Sequence, residues 1–244
     1  MKAAPQAQRK LLELQAVDTT IAQLEHRRRT LPEHAQIAQG QKTRAQLSES
    51  IVAASTVVGD LELDLQKAEA DLVPVRERLV RDQQRLDSGA VTDGKQLTAL
   101  VDEIEHLKRR ISDLEDIQLE AMENHENATA EHDQLVAERG ELETSLRALI
   151  AARNEQVAEI DADLAQQRAG REKIAAELPE DLTALYQRIA ERNGGVGVGL
   201  LQGRRCGGCQ LEATSSALAA YQSAPADEVV RCEECDRILV REAA

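Results

Sequence analysis

The residues best suited to chemistry are four cysteines in two short knuckles, Cys206-Gly207-Gly208-Cys209 and Cys232-Glu233-Glu234-Cys235, with 22 residues between them. Each C-x-x-C places two thiolates on one side of a tight turn, and two such turns complete a tetrahedral four-sulfur shell. That shell suits a single Zn²⁺ and leaves no coordination position open for a substrate, so the ion would be structural. Rubredoxin-type iron is the competing metal. A thioredoxin-like redox pair needs one C-x-x-C in a βαβ context, and this chain has two knuckles and no such context. The stretch after residue 193 has almost no aromatics and is too short to fold on apolar burial alone, so a bound metal would supply much of its folding energy. Arg205, Arg231 and Arg237 lie beside the cysteines, where positive charge favours the thiolate form.

Nothing else in the chain makes a catalytic set. Gly195-Val196-Gly197-Val198-Gly199 departs from G-x-G-x-x-G and reads as a linker or strand approach rather than a phosphate loop. His26, His34, His106, His125 and His132 fall on expected helices without a cysteine partner and read as surface or seam residues. Ser88 and Ser112 have no paired base, and the many carboxylates lie on a solvated shaft without a pocket. The sequence reading is therefore of a protein that is not an enzyme and takes no small-molecule substrate.

The elements that must hold the cysteines follow from composition. The chain has 244 residues and a net charge of −14, with no Trp, no Phe and two Tyr. Ala, Leu, Glu, Arg and Gln dominate, which is the composition of long helices and coiled coils rather than of an aromatic-rich globular core. From about Gln6 to Asp87 the apolar residues fall at 3,4 spacing, with a phase shift near Gly40; Ile51, Ala54, Val58, Leu61, Leu65, Ala68 and Leu72 carry the clearest run. Pro32 and Pro74 are expected to kink this helix. Asp87 to Gly94 reads as a turn. From Lys95 to Leu178 a second arm of matching length keeps a strict heptad through Leu97, Leu100, Ile104, Leu107, Ile111 and Leu114. It weakens over 118–132, at Gln118, Ala121, His125, Ala128 and His132, and recovers at Leu135, Leu142, Leu146 and Leu149. Two matched amphipathic arms about a short turn should fold back on each other. The expected fold is mainly α: a long antiparallel coiled-coil hairpin over 1–178, turning at about 87–94, and a small C-terminal domain over 179–244 made of a short helix capped by Asp181 and a four-cysteine ribbon.

Charge narrows the partners. Residues 1–178 carry 23 basic and 34 acidic groups, and Ile111–Glu138 holds nine acidic residues and no Lys or Arg. Binding to nucleic acid rests on phosphate neutralisation, so this shaft is a poor surface for it. Base stacking has only Tyr186 and Tyr221 to draw on. The best candidate contacts are the ribbon arginines Arg204, Arg205, Arg231, Arg237 and Arg241, if the ribbon gathers them on one face. No apolar run is long enough to span a membrane, and Met1–Gln15 lacks a signal-peptide core, so the expected compartment is the cytoplasm.

Two stretches resemble a known bacterial family of coiled-coil hairpins followed by a C4-type zinc ribbon. One is Lys95 to Asp116, similar to that family's segment after the turn. The other is the pair of knuckles closing on Cys235-Asp236-Arg237-Ile238-Leu239, where the family has C-G-R-I-L. Asp236 stands in place of the usual Gly, and Val240 in place of a frequent Tyr. The resemblance implies one bound zinc and a non-enzymatic adaptor whose ribbon binds proteins or nucleic acids, in some members as a chaperone-like regulator. For this chain the reading is an adaptor making protein contacts. The alternative is an RNA- or DNA-binding regulator acting through the ribbon arginines.

Overall fold

The computed structural model describes residues 1–241; the end of the expected C-terminal domain, 242–244, lies outside the described residues. Helices dominate. The chain runs α1 (Pro5–Arg29), α2 (Pro32–Asp87), α3 (Gly94–Ala176), α4 (Glu180–Arg192), β1 (Val198–Gln202), β2 (Arg205–Cys206), α5 (Ser215–Ser223), β3 (Val230–Arg231) and β4 (Ile238–Arg241). It divides into two units, one over Gln36–Leu149 and one formed by Met1–Ala35 with the chain from Ile150 onward.

The first unit is an antiparallel helical hairpin. Its turn is set locally. Gly89 takes a left-handed φ of 64°, which stops α2 at little steric cost. Asp93 then caps α3, its Oδ1 accepting from Lys95 N at 3.0 Å and Gln96 N at 2.9 Å. Most heptad positions face inward, Ala68, Leu72, Leu100, Ile104, Leu107, Leu114 and Leu146 being buried, but Leu97, in the first turn of α3 next to the hairpin turn, is 40% exposed. The weak stretch keeps the same register, with Gln118, Ala121, His125, Ala128 and His132 half-buried. Gly40, where the apolar pattern shifts phase, does not interrupt α2. It makes room for Leu146, whose Cδ2 would lie 2.6 Å from a Cβ added there.

Pro32 does more than kink the first arm. α1 ends at Arg29 and α2 opens at Pro32, because proline lacks the donor that a continuing helix needs and is suited to a first helical position. Leu31, at the break, is buried beside Ile160 and Leu164 and anchors the junction. Pro74, by contrast, stays inside α2.

In the second unit a four-stranded sheet of order β2-β1-β4-β3 pairs β1 parallel to β4, with β2 and β3 antiparallel at the edges. Alternation along β4 builds a core on both faces. Ile238 and Val240 join Leu11, Leu14, Leu182, Tyr186 and Ile189 from α1 and α4. Leu239 joins Tyr221 and Ala217 of α5 together with Cys206 and Cys232. Asp181 does not cap α4; it lies in the first turn, where its carboxylate accepts from Leu182 N at 2.8 Å and complements the helix dipole. The N-terminal residues are tied to the ribbon by Ala3 N donating to Asp227 O at 2.8 Å and Val229 N to Met1 O at 3.1 Å.

Gln15, a buried amide on α1, clasps these parts together. Its Nε2 donates to Gly195 O at 2.9 Å, and its Oε1 accepts from Gly197 N at 2.7 Å and from the Tyr186 hydroxyl at 3.3 Å. The Tyr186 hydroxyl also donates to Asp18 Oδ2 at 2.8 Å, and Asp18 pairs with Arg171 of α3 at 2.5 Å. Burial, followed by the bond to Asp18, pushes the Tyr186 phenol far above its ordinary range. Gln15→Leu leaves the Gly197 N–H and Gly195 carbonyl unpaired. It is expected to cost about 2–4 kcal/mol in denaturant unfolding, the penalty for orphaned buried groups. A loss below about 0.5 kcal/mol would show that these bonds are dispensable.

Candidate metal centre

The two knuckles are local copies of one turn. In each, the first cysteine's carbonyl accepts from the N–H four residues on: Gln210 N to Cys206 O at 2.8 Å, and Asp236 N to Cys232 O at 2.9 Å. In each, the same cysteine's N–H donates to the carbonyl five residues on: Cys206 N to Leu211 O at 3.0 Å, and Cys232 N to Arg237 O at 2.9 Å. The residue after the second cysteine is left-handed in both, Gln210 at φ 65° and Asp236 at φ 63°. Asp tolerates that conformation through its short polar side chain, whereas Gln is not among the residues that visit it routinely and has only its side-chain bond to Gly207 O to offset the strain. Gln210→Gly is expected to raise the unfolding free energy of the metal-loaded protein by about 1 kcal/mol. A drop would mean that the Gln210 side-chain bond to Gly207 O, 2.9 Å long, outweighs the strain.

The turns bring the four thiols together. Cys206 Sγ lies 4.0 Å from Cys235 Sγ, and Cys209 Sγ lies 3.9 Å from Cys232 Sγ. All four sulfurs fall within 4.8 Å of one another. A tetrahedron with metal–sulfur distances of about 2.3 Å has edges of about 3.8 Å, so the cluster is sized for zinc. A disulfide needs about 2.05 Å, and all four thiols are free. Cys206 and Cys232 are buried, Cys209 and Cys235 half-buried. Burial pushes the Cys206 thiol up and the Cys232 thiol up to about 12. Burial acts the same way on Cys235, but hydrogen bonds from the Arg237 backbone N–H and side chain and from the Cys209 and Cys232 thiols together outweigh it and bring that thiol down to about 7. A cation that takes all four as thiolates must displace their protons, so its hold weakens as pH falls.

Glycines let the first knuckle sit against the sheet. Gly207 N donates to Leu200 O at 2.8 Å. A Cβ on Gly199 would lie 2.4 Å from Gly208 N, and one on Gly208 would lie 2.5 Å from Arg237 Cδ. Gly197 packs in the same way under the Tyr186 ring, where an added Cβ would lie 2.7 Å from Cδ2. The Gly195–Gly199 run is therefore neither a phosphate loop nor a loose linker. Its first residues are pinned by Gln15, and the rest form a close-packed strand under the knuckle.

Helix α5 supports the second knuckle. Thr214 caps it, accepting from Ala217 N at 3.2 Å, and also donates its hydroxyl to Glu233 Oε1 at 3.0 Å. Glu233 N donates to the Tyr221 hydroxyl at 3.0 Å. Both tyrosines of the chain are thus buried in the fold.

The five ribbon arginines have different partners within the fold. Arg241 donates to four carbonyls: those of Tyr221 and Ala224 at the end of α5, and those of Pro225 and Glu228 beyond it, at 2.6–3.0 Å. Arg237 donates to Val196 O at 2.8 Å and Asn193 O at 3.0 Å, closing the exit from α4. These two guanidiniums hold loops, a use that charge counting does not reveal. Arg231 pairs with Asp236. Arg205 approaches Glu212 at 3.9 Å, and Arg204 reaches Ala213 O at 3.4 Å. Of the five, Arg204 and Arg205 are the least committed inside the fold.

Residues 14–194 match the family model of the CT398-like coiled coil hairpin domain, and residues 205–239 match that of the C4-type zinc ribbon domain. The protein Rv2229c of Mycobacterium tuberculosis is 39% identical over 245 residues, covering 99% of this chain and 98% of that protein. A solved structure from Mycobacterium smegmatis is 34% identical, covers 99% of this chain and 100% of its own, and superposes with a TM-score of 0.82. The structure of CT398 from Chlamydia trachomatis shares the fold at 17% identity, covering 97% of this chain and 98% of its own with a TM-score of 0.65.

Proposed function

Because the chain belongs to the CT398-like family of coiled-coil hairpins joined to a C4-type zinc ribbon, we propose that it is a non-enzymatic, zinc-dependent adaptor whose ribbon makes protein contacts. The observation that carries this reading is the four-thiol cluster. All four donors come from this chain, at spacings that fit a closed tetrahedral shell. A zinc ion held this way takes up its full set of ligands and acts as a fold-holding cross-link rather than a Lewis acid. It joins the β1–β2 edge, through Cys206 and Cys209, to the β3–β4 edge, through Cys232 and Cys235.

Protein contact is favoured over nucleic acid for two reasons. Arg237 and Arg241 are spent on backbone carbonyls, leaving few cations for phosphate. Tyr186 and Tyr221, the only tyrosines of a chain without Phe or Trp, are buried and offer no face for base stacking. The test is co-purification of the full chain from its native cytosol with and without nuclease, alongside elemental analysis. The adaptor reading expects one zinc per chain and a co-purifying protein that resists nuclease. Recovery of RNA or DNA at low salt, lost on Arg204→Ala with Arg205→Ala, would overturn it in favour of a nucleic-acid regulator.

A further inference from the structure

Arg153 stands where the hairpin pattern calls for an apolar residue. Ile150, Val157, Ile160 and Leu164 set the inner row of α3 at alternating steps of three and four, and Arg153 fills the place between Ile150 and Val157. It is half-buried, like both of these neighbours in the row. A charged group so placed ordinarily has an opposite charge against it. Among the described residues no carboxylate pairs with Arg153. Its guanidinium donates to the side-chain oxygen of Asn154, at 3.2 Å from Nε and 2.8 Å from Nη2. Glu33, in the first turn of α2, accepts instead from Gln156 Nε2 at 2.7 Å.

Arg153 lines a cavity of about 420 Å³ beside the break between α1 and α2, together with Arg28, Arg29, His34, Asn154 and Val157. All six belong to the unit that also carries the ribbon, and no carboxylate is among them. Arg28 is balanced by Asp161, whose Oδ1 lies 3.0 Å from its Nε, but Arg29, like Arg153, has no ion-pair partner among the described residues. His34 Nε2 donates to the Arg28 carbonyl at 3.1 Å, which ties the first turn of α2 to the last turn of α1. Cations in that last turn complement the carbonyl end of α1, which accounts for Arg28 and Arg29 without any ligand. It does not account for Arg153, in the interior of an 83-residue helix. Two uncompensated guanidiniums facing one cavity repel each other until an anion of matching charge lies between them. Each presents paired N–H groups that fit two oxygens of a phosphate group. The cavity has room for more than one such group, and no aromatic ring lines it for a base to stack on. We propose that this cavity binds a compact polyphosphate anion, of which pyrophosphate is the simplest. The site shares no residue with the ribbon, and the proposal does not rest on the adaptor reading.

The probe is pyrophosphate, titrated by calorimetry into the full chain, with orthophosphate and a short single-stranded RNA as comparisons. The variants are Arg29→Gln, Arg29→Gln with Arg153→Gln, and, as a control on general charge, Arg204→Gln with Arg205→Gln. Arg29 is exposed, so its single substitution keeps the test decisive where Arg153→Gln disturbs the seam, which far-ultraviolet circular dichroism reports. Pyrophosphate is expected to bind once per chain, to weaken about tenfold on the double substitution, and to weaken several-fold on Arg29→Gln alone. Its binding should weaken again between about 50 and 300 mM salt. Orthophosphate should bind less tightly, and the Arg204 and Arg205 control should match the wild type. No binding at about 1 mM pyrophosphate, or binding indifferent to both Arg29 variants, would overturn the proposal. So would an equal loss in the control, which would reduce the effect to net charge. RNA that binds more tightly than pyrophosphate and is lost on the same substitutions would also overturn it, giving the cavity to a nucleic-acid backbone.

Discussion

Replacing Cys232 by serine is expected to strip the metal and unfold the ribbon while leaving the hairpin helices in place. Cys232 is buried against Leu239 and Tyr221, and its carbonyl and N–H build the second knuckle. Serine keeps the size but offers no soft thiolate, so the shell drops to three sulfurs. Zinc binding to small domains of this kind supplies of order 10 kcal/mol of folding energy, and loss of a ligand forfeits much of it. The sheet is short, with two of its four strands only two residues long, and has little else to hold its edges. The measurement is limited proteolysis with zinc analysis. Cleavage should appear between residues 193 and 241, bound zinc should fall to background, and the helical circular dichroism should change little. Wild-type zinc content and protection in Cys232→Ser would remove the ion from its assigned place.

The second large effect is expected at Gly199, which holds no ligand. An alanine there would place Cβ 2.4 Å from Gly208 N, 3.0 Å from Gly207 C and 3.1 Å from Gly208 Cα, all backbone atoms of the first knuckle. No side-chain rotation relieves such a contact, so either β1 or the knuckle must move, and the knuckle carries Cys206 and Cys209. Overpacking of this kind costs about 1–3 kcal/mol. Because the strain falls on the ligand turn, zinc affinity in a chelator competition should fall about 10- to 100-fold. Gly140→Ala is the matched control. That glycine lies within α3 with nothing among the described residues within 4 Å of its added Cβ, and the change should stabilise the helix by about 1 kcal/mol. Equal zinc affinity for Gly199→Ala and the wild type would show that the knuckle does not depend on its close seat on β1.

The hairpin was legible because its signal is periodic and local. Leu100, Ile104 and Leu107 occupy the positions that a heptad assigns, and they are buried. The metal knuckles were legible because the C-x-x-C turn fixes its own backbone. The remainder depended on contacts between residues far apart in sequence. The pairing of β1 with β4, in parallel, joins residues 40 positions apart, and no local pattern in either four- or five-residue strand announces it. Gln15 reads as one more polar residue in a Gln-rich helix until its amide is found on Gly195 and Gly197. Arg237 and Arg241 count as charge in the sequence, but their guanidiniums are directed at carbonyls that only the folded chain brings near. Helix α5 was missed because it is nine residues long and set among loop residues between the cysteine pairs. Its one local signal was Thr214 ahead of Ser215-Ser216-Ala217, a capping sequence.

Everything assigned to the ribbon rests on Cys206, Cys209, Cys232 and Cys235 holding one ion together. Zinc-edge X-ray absorption of the freshly purified full chain tests this most directly, because it reports both the identity and the number of ligating atoms. The account predicts one zinc per chain in a single shell of four sulfurs at about 2.3 Å. A shell containing nitrogen or oxygen, or a chain that carries no zinc, would contradict it.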